Sequence, residues 1–232
     1  MKARRNKILD VAVDLAEEGG FDNVRQRDVA AQAGVALGTL YKSFRSKEDL
    51  LSAALDREAE HLERRMEDNP AKGDTPLDRA LAVFQAMTRA LTKKPNYARA
   101  VLRAMASGVP EVASNVAAYQ GRVNGIIIAA MRGVGRLGYT ELTNHPPTAQ
   151  ESTLSFLLQQ LWFASLVGWS AGLFDQGAII DQLRLAGELL TRGLESPSTM
   201  GAERSAAPSS APKPPGTMGA LLGAAPKPPA KK

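Results

Sequence analysis

Cysteine is absent from the 232 residues, which excludes a disulfide framework, a thiol nucleophile and thiolate-bound zinc. Histidine occurs only at His61 and His145, so no helix can carry the paired imidazoles of a zinc protease. Neither histidine has a Ser, Asp or Glu neighbourhood of triad type, and the sequence predicts no enzyme, no metal and no cofactor. Aromatic residues make up 5% of the chain, and β-branched runs that would seed strands are scarce. No apolar run reaches the about 18 residues that suggest a membrane span. Met1 to Lys7 is basic but leads directly into an amphipathic pattern, unlike a signal peptide, and the expected location is the cytoplasm.

What is abundant is alanine and leucine within a hydrophobic fraction of 44%, a composition that favours helices and suffices for a buried core. The net charge of +5 suggests nucleic acid, but its distribution matters more than its size. From Pro197 onward five bases (Arg204, Lys213, Lys227, Lys231, Lys232) face one acid, Glu203, so that segment carries +4 and the rest about +1. Two basic clusters stand out in this near-neutral body. Met1–Lys7 holds four bases and no acid, and Arg25–Lys47 holds Arg25, Arg27, Lys42, Arg45 and Lys47 against Asp28 alone.

Apolar residues recur at helical spacing along most of the chain. Ile8, Val11, Ala12, Leu15 and Ala16 predict a first helix stopped by Gly19-Gly20. Two short helices follow, at about 26–33 and 37–43, separated by Gly34. Ser46 opens a longer helix to Asp68 with Leu51, Ala54, Leu55 and Leu62 on one face and a densely charged, solvated face opposite. Asn69–Asp74 is a linker, and Thr75-Pro76 caps the next helix. Further helices are predicted to Leu91, over 97–107, over 111–133 and over 179–194. The segment 148–174 is apolar nearly all round and is expected to be buried on most sides. Eight of the fourteen prolines fall in the last 36 residues, which reads as a disordered tail. The expected fold is all-α, with about nine helices in three parts: a small N-terminal unit at 1–47, a second helical domain at 48–196 joined by the helix 48–68, and the tail 197–232.

The most informative stretch runs from Val24 to Phe44. Val29, Ala30 and Ala33 form one inner face, and Gly34 supplies the positive φ of a tight turn. Val35, Leu40 and Phe44 fold back onto the same small core. That arrangement is a helix-turn-helix, and it leaves Ala36, Leu37, Gly38, Thr39, Tyr41 and Lys42 on the face that fits a major groove. The hydroxyls of Thr39 and Tyr41 suit phosphate or a base edge, Leu37 suits a thymine methyl, and Gly38 permits close approach. Lys42, Arg45 and Lys47 are candidate phosphate contacts, as is the N-terminus of the helix after Ser46. Arg4 and Arg5 form a candidate arm.

The residues Asp28-Val29-Ala30, Ala33-Gly34-Val35, Gly38-Thr39-Leu40-Tyr41, Phe44 and Ser46-Lys47-Glu48 resemble the N-terminal signature of the TetR family of transcriptional regulators, over about residues 4–50. The resemblance implies a homodimer on a palindromic DNA operator and a C-terminal helical domain that binds a small effector. Two positions depart from the family pattern. Arg25 stands where a capping Thr is usual, and Ser43 where Tyr or His is usual; both usual residues touch backbone phosphate. With Gln26, the DNA candidates are therefore Arg4, Arg5, Arg25, Gln26, Ala36, Leu37, Gly38, Thr39, Tyr41, Lys42, Ser43, Arg45 and Lys47. Further along, Leu161-Trp162-Phe163 with Leu166 and Trp169 resembles the branch of the family that represses cholesterol catabolism in mycobacteria, which implies an apolar effector.

Candidate effector contacts are Phe84, Met87, Tyr97, Leu102, Arg103, Tyr119, Val123, Phe156, Gln159, Gln160, Trp162 and Phe163, with core packing as the alternative for the aromatics. Glycines four apart inside predicted helices, at Gly121 and Gly125 and again at Gly168 and Gly172, each cost about 1 kcal/mol relative to Ala. Ligand space or close helix crossing would offset that cost. Candidate dimer contacts are Leu161, Ala164, Gly168, Gly172, Leu183, Ala186 and Leu190. Gly133 to Gly138 spells GxGxxG, but a helical pattern precedes it and no strand does, so it reads as a helix-end turn. The competing functions are a helical carrier or enzyme for an apolar ligand, in which the first helices are only structural, and a sequence-blind nucleoid DNA binder.

Overall fold

The computed structural model describes residues 2–195, apart from the side chains of Glu111, Tyr139, Thr140, Leu142, Leu194 and Glu195. The tail expected at 197–232 lies outside the described residues. All regular structure among the described residues is helical: α1 Lys2–Asn23, α2 Gln26–Ala33, α3 Leu37–Ser43, α4 Lys47–Asp68, α5 Pro76–Thr92, α6 Pro95–Met105, α7 Pro110–Met131, α8 Tyr139–Asn144, α9 Ala149–Ser170 and α10 Gln176–Glu195. The segment that periodicity had not indicated is α8, whose six residues are too few to show a helical period.

Helix α1 buries Ile8, Leu9, Ala12, Val13, Leu15 and Ala16 and loses helical geometry at Gly19-Gly20, where Gly20 has φ 70°. The chain then turns through Asn23, whose side-chain amide donates to the Leu15 carbonyl at 2.9 Å. Ser46 caps α4 by accepting from the Asp49 N–H at 3.1 Å. Reciprocal capping boxes start α5 (Thr75 with Asp78) and α9 (Thr148 with Glu151).

Helix α6 is different, because its own cap residue, Lys94, offers no side-chain bond. Pro95 has no N–H, and the Ala98 N–H reaches the Lys94 carbonyl at 2.9 Å. The two remaining first-turn donors, Asn96 N and Tyr97 N, both go to one carboxylate oxygen of Glu17 on α1, at 3.1 and 3.0 Å. One acidic side chain of the N-terminal unit therefore caps a helix of the larger domain.

Two expectations about the helix faces need correction. The charged side of α4 is not simply solvated, since α7 lies along it with matching charges. Arg122 bridges Asp56 and Glu63 at 3.0 and 2.9 Å, and Arg136 pairs with Glu67 at 2.7 Å. Arg57 is turned inward and only 9% exposed.

Nor is α9 buried on most sides. Leu154, Leu158, Trp162 and Leu166 face the core, while Phe156, Leu157 and Val167 face outward. An all-round apolar helix has two apolar faces, and the described helices cover only one. Helix α10 is split the same way, with Ile179 and Leu183 inward and Leu185 and Leu189 outward. Gly172, expected inside a helix, lies in the turn after α9 with φ 77°.

One continuous apolar core runs from Ile8 of α1 to Leu183 of α10. Near its centre the Trp162 indole donates to the Thr88 hydroxyl at 2.9 Å, and its ring meets Phe84 at 6.0 Å between centroids.

Candidate nucleic-acid interface and interior cavities

The turn between α2 and α3 rests on Gly34, which adopts φ 68°, ψ 38°. There its N–H and that of Val35 return to the Ala31 and Ala30 carbonyls at 3.2 and 3.0 Å, closing the end of α2. Val29, Ala30, Ala33, Leu40 and Phe44 are buried together with Ile8, Leu9 and Leu50. With that face committed, Ala36, Leu37, Gly38, Tyr41, Lys42 and Ser43 are exposed and Thr39 is half-buried. Tyr41 is 50% exposed and Leu37 37%. A Cβ built at Gly38 meets no atom of the described residues within 4 Å. The described residues thus give no steric reason for glycine at that first-turn position of α3.

The surrounding cations differ in their engagement. Arg4, Arg25, Lys42 and Arg45 are exposed and have no side-chain ion pair among the described residues. Arg5 stacks over the Phe44 ring at 4.9 Å. Lys47 sits 3.9 Å above the Phe21 ring and pairs with Asp22 at 3.4 Å. Gln26 is used within the chain, donating to the Phe44 carbonyl at 2.9 Å. One first-turn donor of α4 is used internally, because Ser46 takes the Asp49 N–H, and the Asp49 carboxylate takes the Arg45 N–H just before the helix at 2.8 Å. Its acidic Glu48 and Asp49 also oppose an incoming phosphate.

Of the cavities in the larger domain, two take in residues expected at the effector. One, of 380 Å³, is lined from α1, α4, α5, α6, α7 and α9 by residues including Val13, Leu55, Leu62, Met87, Tyr97, Tyr119 and Trp162. The other, of 130 Å³, is lined by Leu102, Val123, Gln159, Gln160, Phe163 and neighbours, and shares Leu55, Leu91, Tyr119 and Trp162 with the first. Most expected effector contacts therefore line one or both.

Three do not. Phe84 is fully buried against Trp162 and lines neither cavity. Phe156 is 44% exposed on the outer side of α9. Arg103 is exposed, pairing with Asp22 at 3.0 Å and covering the Phe21 ring at 4.3 Å. Helical spacing places these residues on a helix but does not say which neighbour covers them.

Arg57 was missed. It stands at the inward spacing of Leu50, Ala53 and Ala54, a charged residue on an apolar stripe, and that was the available signal. Its Nη1 donates to the Asn6 carbonyl at 2.9 Å and pairs with Asp10 at 2.8 Å, both on α1. Its Nε, like the Tyr97 hydroxyl, is buried without a hydrogen-bond partner among the described residues. Such an unpaired group costs roughly 1–3 kcal/mol. Burial raises the Tyr97 pKa, ahead of the neighbouring Glu58 charge, so the hydroxyl keeps its proton.

The outward stripe of α9 and α10 consists of Phe156, Leu157, Val167, Leu185 and Leu189, with Ala164 exposed between them. Leu161, Ala186 and Leu190 border it half-buried. Leu183 lies in this chain's own core, and at Gly168 an added Cβ would strike the Phe174 ring at 2.5 Å. Both therefore serve packing within one chain. In the GxGxxG stretch, Gly135 lies against the Met66 and Glu67 backbone, with an added Cβ 2.5 Å from the Met66 carbonyl oxygen. Gly121 and Gly125 meet nothing and border a separate groove of 330 Å³.

Comparison with known proteins agrees with this geometry. Residues 8–54 match the family described as bacterial regulatory proteins, tetR family, and residues 73–190 match the tetracyclin repressor-like C-terminal domain. The chain is 32% identical over 189 residues to the HTH-type transcriptional repressor KstR of Rhodococcus jostii, covering 82% of this chain and 83% of that one. Among solved structures, a TetR transcriptional regulator from Rhodococcus sp. RHA1 superposes with TM-score 0.69 at 28% identity, over 84% of this chain and 99% of that one. The fatty-acid regulator FadR of Bacillus subtilis, solved with stearoyl-CoA, shares the fold with TM-score 0.53 at 19% identity, over 79% and 96%. The chain belongs to the TetR family: it is a DNA-binding transcriptional regulator, not an enzyme.

Proposed function

We propose that the chain is a homodimeric repressor that leaves a palindromic operator when a small, largely apolar effector enters the cavities beside Trp162. The observation that carries the DNA half is the outer face of α3. Leu37, Gly38, Tyr41 and Lys42 project from a fixed core, no described residue packs over that face, and cations without an ion pair among the described residues surround it. Arg4, Arg25, Lys42 and Arg45 hold the backbone, while Leu37, Thr39 and Tyr41 reach base edges or phosphate. Arg5 and Lys47 contribute charge from positions already stacked on aromatic rings.

The exposed stripe of α9 and α10 supports pairing of two copies as a four-helix bundle. That pairing holds the two α3 helices roughly 34–36 Å apart, one turn of DNA. An effector releases DNA only if it binds the wrongly spaced state more tightly. The Leu, Met, Val, Tyr and Trp side chains in both linings support a largely apolar effector, and the 380 Å³ cavity is lined by seven charged residues as well. A steroid and a long-chain acyl thioester are the first compounds to test. No helix among the described residues is long and apolar enough to cross a membrane, and the proposed site of action is the cytoplasm.

The test is footprinting on DNA upstream of the chain's own gene. Protection of a palindrome, relieved by the effector, is expected. Absence of protection at every salt concentration, or equal affinity for unrelated sequences, refutes the reading.

A further inference from the structure

Resting on the reading above, we propose that Arg57 and Tyr97 form an oxyanion-binding corner of the 380 Å³ cavity, and that filling this corner weakens the hold of Arg57 on α1. The effector is then an apolar molecule with one oxyanion end, and Arg57 is the residue through which its presence reaches the DNA-binding unit.

The two edges of the Arg57 guanidinium are used differently. Nη1 is committed to α1, at the Asn6 carbonyl and the Asp10 carboxylate. On the other edge Nε has no partner, and Nη2 has only Glu58 at 3.7 Å. Nε and Nη2 form the fork that receives two oxygens of a carboxylate, phosphate or sulfonate. Tyr97, 4% exposed, lines the same cavity and holds a hydroxyl that is also unpartnered. Two buried, unused donors from residues of one cavity mark a place for an acceptor better than a packing accident.

The charges around the cavity favour an anion. Of the acids lining it, Asp14 is taken by Lys94 at 2.8 Å, Asp10 by Arg57, and Glu58 lies near both Arg57 and His61. Arg65 and Lys93 line the cavity with no ion pair among the described residues. The apolar part of such a ligand has continuous wall to follow, because Leu55, Leu91, Tyr119 and Trp162 border both cavities.

The consequence for α1 follows from charge. Asp10 relies on Arg57 for its ion pair, and an oxyanion on the opposite edge shares that cation and repels the Asp10 carboxylate. Asn6 and Asp10 lie in the same helix as Arg4 and Arg5, so loosening their tether frees the basic end of α1 from the position in which the rest of the domain holds it.

A matched pair of fluorescent probes tests the corner. Anilinonaphthalene sulfonate carries an oxyanion, and N-phenylnaphthylamine has the same rings without it. The full-length chain is expected to bind the sulfonate about 10-fold or more tightly than the amine, as charge-assisted bonds require. Arg57→Met and Tyr97→Phe should each reduce that preference, the arginine variant more. Tyr97→Phe removes a single oxygen and remains informative if Arg57→Met fails to fold by circular dichroism. Dodecanoate and dodecyl phosphate, as competitors, distinguish a carboxylate from a phosphate end, and displacement by either should exceed that by dodecanol.

Asp10→Asn tests the tether, with circular dichroism checking that the variant folds. It should raise the probe preference, because the carboxylate that shares Arg57 is gone, but lower affinity for the upstream DNA several-fold. Equal binding of the two probes, or a preference surviving both variants, overturns the corner; unchanged DNA affinity in Asp10→Asn overturns the tether. If the unliganded chain ignores its upstream DNA while the probe results hold, the repressor reading fails and the binding corner stands.

Discussion

Replacing Glu17 by alanine removes the cap that α1 supplies to α6. Two N–H donors, Asn96 N at 3.1 Å and Tyr97 N at 3.0 Å, lose a shared carboxylate oxygen, and no side chain of α6's own start replaces it. Loss of a helix cap costs about 1 kcal/mol, and loss of favourable charge at a helix N-terminus adds roughly 0.3–1 kcal/mol. Bonds to an ionised acceptor are stronger than neutral ones, which places the loss at about 2 kcal/mol. For a domain of this size that corresponds to a melting temperature lower by about 4–8 °C.

The same 2 kcal/mol shifts docking of α1 on α6 by about 30-fold, which is the upper limit on the loss of operator affinity. The assay is urea unfolding followed by circular dichroism, paired with fluorescence anisotropy on the footprinted DNA. Glu17→Gln, which keeps an acceptor oxygen but no charge, should lose about half as much. Glu18→Ala is the control, because that side chain is exposed. If Glu17→Ala and Glu18→Ala agree within about 0.5 kcal/mol, the ordinary range for surface substitutions, the capping argument is wrong.

Three further outcomes are expected. Gly38→Ala should stabilise the folded chain by about 0.5–1 kcal/mol, because a Cβ meets nothing there. It should also lower operator affinity about 10-fold by overpacking against DNA, and unchanged affinity would show that this face does not approach a duplex closely. The double substitution Val167→Glu with Leu189→Glu places charges on the exposed stripe of α9 and α10. Light scattering should then report one chain where the parent reports two, with helicity retained, and an unchanged mass removes that stripe from the interface. Finally, the paired bonds from Arg132 at 2.8 Å, aided by the Thr148 N–H, hold the Glu151 carboxyl at a pKa of about 2, against an ordinary 4.5. A depressed acid stabilises the fold fully above the ordinary value, and that stabilisation, about 1–2 kcal/mol after screening, is lost as pH falls from 4.5 toward 2. Arg132→Met should flatten the acid limb of a stability–pH curve, and an unaltered limb refutes the assignment.

By itself the sequence determined the local elements and the turn that matters most. Helical spacing, capping residues such as Ser46, Thr75 and Thr148, and Gly34 between two short apolar stripes act over a few residues, so their physics is legible in one dimension. The face of α3 was legible for the same reason, since burying Val29, Ala33, Leu40 and Phe44 forces Leu37, Gly38 and Tyr41 outward. Only the tertiary structure decided which partner each remaining side chain has. Spacing put Phe84, Phe156 and Arg103 on plausible helix faces, yet one is core, one is surface and one covers Phe21. The acidic side of α4 looked solvated until α7 supplied Arg122 and the segment after α7 supplied Arg136, 59–69 residues away. Glu17 capping α6 and Arg57 holding α1 likewise join residues 79 and 51 positions apart. Bonds of that range depend on how the helices pack, and that packing is decided only when the whole core closes.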